Sequence, residues 1–414
     1  MPQFIYKIGL FILVLFLSFY SIELSFIASV FLLAISASNK IAVNLTSSII
    51  LLTIVAFIGI ISSYGLKYPF YDILKDIIYF VRPITILLAG YFAVKRIKSP
   101  TFVFNTVIAI ALFFAIKHLA IIVINFGKID SYIYLRGLGG KQNHIEMVAL
   151  VFLFFTPYHT VFKKYERLVK YIIIASFILY LSRTMFIILF IFYLGHKGYL
   201  FFSRKLIKGL FVFAFSFLVI SLAISRVDTN RDSKGIKAFV YKTQNSFSEL
   251  FEPIDTKKIV RDRRLLWEHW RAYEAKKAIE QIDENGAKAW LIGLGFGAQI
   301  DLQTNVRLDG TVFSEVPSIH NGFVNVLFKT GIVGFLLYVW FMLYIFITHQ
   351  KFKTKDRSVL FNKLIVATSL YMLFNSFVIT GFFRPGEFSI FLYGILIASK
   401  YKNEDLNLEI KPAK

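Results

Sequence analysis

Long apolar runs separated by short basic or polar stretches dominate the chain, and only one extended segment, residues 226–319, departs from that pattern. A membrane-crossing helix needs ~20 predominantly apolar residues, fewer where neighbours crowd it. On that rule the runs at 5–20, 23–38, 43–63, 75–95, 101–125, 143–161, 168–182, 184–197, 206–225, 320–348, 360–380 and 386–400 predict about twelve spans. The first run, IYKIGLFILVLFLSFYSI, has no small-x-small cleavage pattern before the second begins, so it is expected to be a retained span. The expected fold is an all-α polytopic membrane protein. Residues 1–225 hold spans one to nine, 226–319 form a large loop, 320–400 hold the last three spans, and 401–414 form a tail.

Within the large loop, RRLLWEHWRAYEAKKAIEQI (263–282) places Leu266, Trp267, Trp270, Tyr273 and Ala278 at helical spacing against a charged face. Such an amphipathic helix suits the membrane interface, where Trp and Tyr concentrate, and suits equally a small core of the loop's own.

The net charge of +22 would suggest a nucleic-acid partner, but its placement argues otherwise. The large loop holds 15 Lys and Arg against 14 Asp and Glu, a net of +1, which leaves +21 for the rest of the chain. That excess gathers at 95–98, 163–170, 204–208, 349–357 and beyond Lys400, all on one side if both termini are cytoplasmic. The large loop then lies on the outer side. With no cysteine, the chain has no disulfide framework and no thiolate nucleophile or metal ligand.

Chemistry-bearing residues cluster on that outer side. SIHNGFVNVLFKTGIVGF (318–335) sets His320 and Asn321 at the mouth of the tenth span, where they either cap the helix or offer a neutral imidazole as a base. Gly331 and Gly334, three apart, would let a neighbouring helix approach. Arg136 stands in LRGLGGKQN, Arg183 in the tight LSRT hairpin, and Arg263 and Arg264 beside Trp267. Planar guanidinium groups match phosphate oxygens bidentately, and snorkelling or ion pairing is the plain alternative. Arg82-Pro83 and Lys117-His118 fall inside spans and are expected to face the bundle interior. GLGFG (293–297) lacks the strand and helix context of a phosphate loop and reads as a turn.

In these motifs the chain resembles the bacterial O-antigen ligase and O-antigen polymerase superfamily, over a stretch running roughly from Arg136 to Phe335. His320-Asn321 with Gly331 and Gly334 resembles its His-Asn helix, DRRLLW its Gly-Arg-x-x-x-Trp element with Asp262 in place of glycine, and LSRT its arginine turn. RGLGGKQN is a shorter form of its Arg-Gly…Pro-Asn element, with Gln142 in place of proline. The resemblance implies an inner-membrane glycosyltransferase that takes a glycan from undecaprenyl diphosphate at the periplasmic face, with no metal or other cofactor. It implies a diphosphate held by Arg183 and Arg263, assisted by Arg136 and neighboured by Arg264, and a base at His320 beside Asn321. The acceptor would be the lipid A core for a ligase or a lipid-linked repeat unit for a polymerase. A transporter of lipid-linked sugar would use the same arginines without cleaving the donor.

Overall fold

The computed structural model describes the chain except for residues 1, 39, 98, 130, 157–162, 230–236, 238, 239, 242, 245–261, 309, 310, 351–357 and 410–414. Its apolar runs form α1 (Gln3–Ser18), α2 (Ile22–Ser36), α3 (Val43–Ser62), α4 (Phe70–Arg96) and α5 (Pro100–Ile124). A short α6 (Tyr132–Leu138) precedes α7 (Asn143–Phe155), α8 (Glu166–Leu179), α9 (Arg183–His196) and α10 (Arg204–Ser225). After the large loop come α14 (Gly322–Thr348), α15 (Ser358–Val378) and α16 (Ser389–Glu409). A helix occupies each of the predicted apolar segments. Among the described residues, five are long and apolar enough to cross a membrane: Val43–Ser62, Phe70–Arg96, Thr101–Ile124, Gly322–Thr348 and Val359–Val378. The chain is a multi-pass membrane protein built of helices, because only a helix satisfies every backbone group within one segment when no water is at hand.

The most enclosed of the five is α4, which packs between α2 and α16, while α14 packs on α3 and α15. Buried Arg82, in the middle of α4, faces inward as expected, donating to Ser25 Oγ at 3.3 Å and to the carbonyl of Phe383. On α5 the expectation divides: His118 is buried, whereas Lys117 is exposed.

The described part of the large loop forms a unit of its own. Asp262 caps α11 (Arg263–Glu268) by accepting the Arg264 N–H at 2.8 Å. A non-helical His269 then separates α11 from α12 (Trp270–Glu284), which is followed by α13 (Gly286–Ile292). An antiparallel hairpin of β1 (Ile300–Leu308) and β2 (Thr311–Val316), paired Leu308 with Thr311, is an addition to the all-α expectation. Leu266, Trp270, Tyr273, Ala278 and Ile282 turn inward onto Leu294, Ile300, Leu302, Val316 and Phe328. The apolar stripe of 263–282 thus builds the loop's own small core, and only Trp267 stays half exposed. Burial pushes the Tyr273 phenol up, and its hydroxyl donates to Leu302 O at 2.5 Å, which fastens α12 to β1.

This unit is joined to the helices through the GLGFG turn. Gly331 breaks α14 at φ 64°, ψ −170°, a conformation open essentially to glycine alone, and so removes helical partners from nearby carbonyls. The turn replaces them: Leu294 N–H donates to Phe328 O at 2.8 Å and Gly295 N–H to Lys329 O at 3.1 Å. On the other side Phe296 N–H donates to Gly59 O at 3.0 Å, and Ser63 Oγ to Phe296 O at 2.9 Å. The close approach expected at Gly331 is therefore real, but backbone from α13 makes it at a broken turn, and Gly334 sits instead against the side chain of Thr330. A Cβ on Gly331 would lie 2.4 Å from the Ile292 nitrogen and the Leu291 carbonyl. Gly331→Ala is expected to cost about 3 kcal/mol or more, from backbone strain plus that clash. A thermal melt of detergent-purified protein checks this, and an unchanged melt contradicts it.

Beneath the turn lies a buried ion pair. Lys329 Nζ is 2.5 Å from Asp76 Oδ2 and donates to Ala298 O at 2.5 Å, while Gly297 N–H donates to the same Asp76 oxygen at 2.8 Å. One carboxylate and one ammonium thus fix α4, α14 and the loop unit to each other.

Candidate functional site

His320 lies where β2 has ended and α14 has not begun. Asn321, not His320, caps α14: its side chain accepts the Val324 N–H at 3.1 Å from an extended backbone. The imidazole is thereby left for other work. Its Nδ1 lies 2.9 Å from Oε2 of Glu274, and the His320 backbone N–H donates to the same oxygen at 3.1 Å. A carboxylate accepts, so Nδ1 carries the ring proton and Nε2 is the basic nitrogen. The Glu274 side chain is 2% exposed and that of His320 51%, which makes the acid a buried holder and the ring an accessible tool.

The floor of this segment is equally fixed. Thr380 Oγ1 donates to Ile319 O at 3.2 Å, and Gly322 N–H donates to Ile379 O at 3.0 Å. Tyr79 of α4 stacks on Phe383 with ring centroids 5.5 Å apart. His320 is therefore braced from two directions, by α12 through Glu274 and by the α15–α16 connection through Thr380.

Glu274 is the residue that reading the chain alone overlooked. The available signal was its phase: it falls one turn after Trp270 and one turn before Ala278, on the apolar stripe of α12, where an unpaired acid is costly to bury. Where His320 serves as a base, Glu274→Gln is expected to lower kcat roughly tenfold or more with little change in KM, because the amide keeps the shape and loses the charge that supports a protonated imidazole. Steady-state kinetics on the purified variant read that split, and equal losses in kcat and KM would contradict it.

Of the predicted arginines, Arg136 and Arg183 stand in segments that meet at one end of the bundle. Arg136 is exposed on α6, which packs on α5; Arg183 opens α9, half-buried, and α9 packs on α7 and α15. Arg264 is exposed on α11, and the side chain of Arg263 lies outside the described residues. A buried chain of polar groups supports the first two. Ser176 Oγ donates to Glu146 Oε1 at 2.9 Å and lies 2.8 Å from His118 Nδ1, while Tyr180 Oη donates to the same carboxylate at 3.3 Å. Gly139 packs on that cluster so tightly that a Cβ would stand 2.7 Å from the Tyr180 ring, and Tyr180 precedes the left-handed Leu181 that turns the chain toward Arg183. The Arg136 and Arg183 segments thus share one anchor.

The same end gathers the other loops. Gln142 Nε2 donates to Ser18 O at 3.3 Å, Gly386 packs on Tyr20, and Arg82 reaches the Phe383 carbonyl beyond Thr380. Segments 18–21, 136–142, 180–183, 318–322 and 379–386 therefore open at a common end, with His320 among them. A comparison of the chain with protein-family models and with curated proteins gives no match.

Proposed function

We propose that the protein is a glycosyltransferase of the bacterial inner membrane that moves a glycan from undecaprenyl diphosphate to a lipid A core sugar hydroxyl, an O-antigen ligase acting at the periplasmic face. The observation that carries this reading is the Glu274–His320 pair, a buried acid holding an accessible imidazole at the membrane-proximal mouth of the bundle.

The proposed topology has twelve spans with both ends of the chain in the cytoplasm. It is supported by basic residues at the end opposite His320: Lys95 donates to Lys40 O at 2.7 Å, Arg96 Nε to Ser36 O at 3.0 Å, and Lys402 to Ile97 O. The large loop and His320 then face the periplasm.

In the proposed reaction the acceptor hydroxyl gives its proton to Nε2 of His320 as its oxygen attacks the anomeric carbon. The bond from that carbon to the diphosphate oxygen breaks, and Glu274 stabilises the imidazolium that results. A single displacement inverts the configuration. Arg183 and Arg263, with Arg136 and Arg264 nearby, would neutralise charge on the departing diphosphate. Asn321 serves the site by starting α14 immediately after the base.

A polymerase would use the same chemistry with another lipid-linked repeat unit as acceptor. In cells lacking the protein, long glycans accumulating on undecaprenyl diphosphate above a bare lipid A core support the ligase. Single repeat units on the core without long chains support the polymerase instead. A transporter of lipid-linked sugar is disfavoured, because a transporter built of inverted repeats breaks spans in matched pairs. Among the described residues, α14 is the long helix with a non-helical interior residue.

A further inference from the structure

Two cations meet on one tyrosine ring at the His320 end of the bundle. Lys141 Nζ lies 4.5 Å from the Tyr20 ring centroid, and the Arg384 guanidinium carbon lies 5.2 Å from it. Arg384 Nε also donates to the Tyr20 hydroxyl. The ring is a built platform: Tyr20 holds a left-handed φ of 63°, rare for a non-glycine residue, and Gly386 underlies it so closely that a Cβ there would be 2.5 Å from the ring. Three segments, the α1–α2 turn, the loop before α7, and the α15–α16 connection with both Arg384 and Gly386, bring these groups to one ring.

Neither cation has a carboxylate partner among the described residues. The nearby Glu387 is committed elsewhere. Its oxygens accept the Ser389 N–H at 2.9 Å and the Ser389 hydroxyl at 2.8 Å, and it lies within electrostatic reach of buried Arg82. Hydrogen bonds engage Nε of Arg384 and leave its two terminal nitrogens unused among the described residues. Two like charges stand 4.5 and 5.2 Å from one ring centroid, and with a guanidinium fork open they are the parts of a receptor for a tetrahedral oxyanion: the fork takes two oxygens and the lysine supplies a point charge.

We propose that Lys141 and Arg384 on Tyr20 form a binding site for the phosphate group of a membrane lipid. The chain places it beside the candidate active site, because Arg384 is four residues beyond Thr380 and four residues reach at most about 14 Å. The phosphate has two sources: the diphosphate of an isoprenoid-linked glycan, or the head group of an anionic phospholipid. The site does not depend on His320 acting as a base, and its test involves no turnover, so its failure and that of the transferase reading are separable.

The full-length protein in phosphatidylcholine nanodiscs is titrated with inorganic pyrophosphate, and in parallel is reconstituted with phosphatidylglycerol and examined for retained lipid by native mass spectrometry. Binding of at least one probe is expected, weakened tenfold or more in both Lys141→Gln and Arg384→Gln. Pyrophosphate binding assigns the site to a diphosphate head, and retention of phosphatidylglycerol alone assigns it to a phospholipid. Lys141 is exposed, so its replacement leaves folding intact even if Arg384→Gln does not. Binding of neither probe, or equal binding by wild type and Lys141→Gln, overturns the proposal.

Discussion

His320→Ala is expected to lower glycan transfer by ~10²–10⁴-fold while the protein inserts and melts as the wild type does. The two halves of that expectation come from different parts of the geometry. His320 gives its Nδ1 side to Glu274 and keeps its other face accessible, so removing the ring takes away a base without opening a packed core. The helix cap is untouched as well, since Asn321 performs that duty. What the variant leaves behind is Glu274, still accepting the backbone N–H of residue 320 at 3.1 Å, which spares the buried carboxylate complete isolation. A variant that melts normally and transfers glycan at near the wild-type rate would remove His320 from the chemistry and return it to a structural role.

Lys329→Met is expected to destabilise the protein by about 3–5 kcal/mol, because it strands the Asp76 carboxylate inside the bundle with only the Gly297 N–H for company. Replacing both partners, Asp76→Leu with Lys329→Met, is expected to recover most of that loss, since the penalty belongs to the unpaired charge rather than to the absence of the pair. Melting curves of the two singles and the double close the cycle. A Lys329→Met variant as stable as the wild type would show that the pair carries no such burden. The consequence also reaches the site: Lys329 holds Ala298 and Asp76 holds Gly297, the two residues that lead from the GLGFG turn into β1. Loosening them frees the unit that presents Glu274 to His320.

Much of the membrane bundle was legible because bilayer physics writes itself into long apolar runs, and helices stand where those runs predict them. The reading weakened wherever one residue type serves two purposes. Gly331 fits a helix-packing glycine and a helix breaker equally well from spacing, and only the GLGFG turn donating to Phe328 and Lys329 decides for the break. The hairpin of β1 and β2 was signalled by Asp309-Gly310 between alternating polar and apolar residues, a two-residue hairpin signature that the surrounding charge concealed. Lys117 and His118 are adjacent in sequence, and a helix sends adjacent residues in different directions, so one is buried and the other exposed.

Of the candidate site, His320 and Asn321 were visible as polar residues at the mouth of a span, but their division of labour was not. Capping needs an extended backbone and a short acceptor, which Asn321 supplies, and holding an imidazole needs a distant acid, which only the folded loop unit brings near. Glu274 lies 46 positions before His320, a pairing that no local pattern encodes. Arg384 escaped notice for a related reason: in FRPGEF it reads as a loop residue, and its meaning comes from Lys141 and Tyr20, which reach it from remote parts of the chain.

As the proposed transferase, this protein breaks the donor bond rather than carrying the donor intact. The direct measurement is on purified protein in liposomes given an undecaprenyl-diphosphate-linked glycan and a lipid A core acceptor, following free undecaprenyl diphosphate over time. Acceptor-dependent release that disappears in His320→Ala is the predicted result. An intact donor, moved from one leaflet to the other at the same rate in wild type and variant, would contradict it and make the protein a transporter.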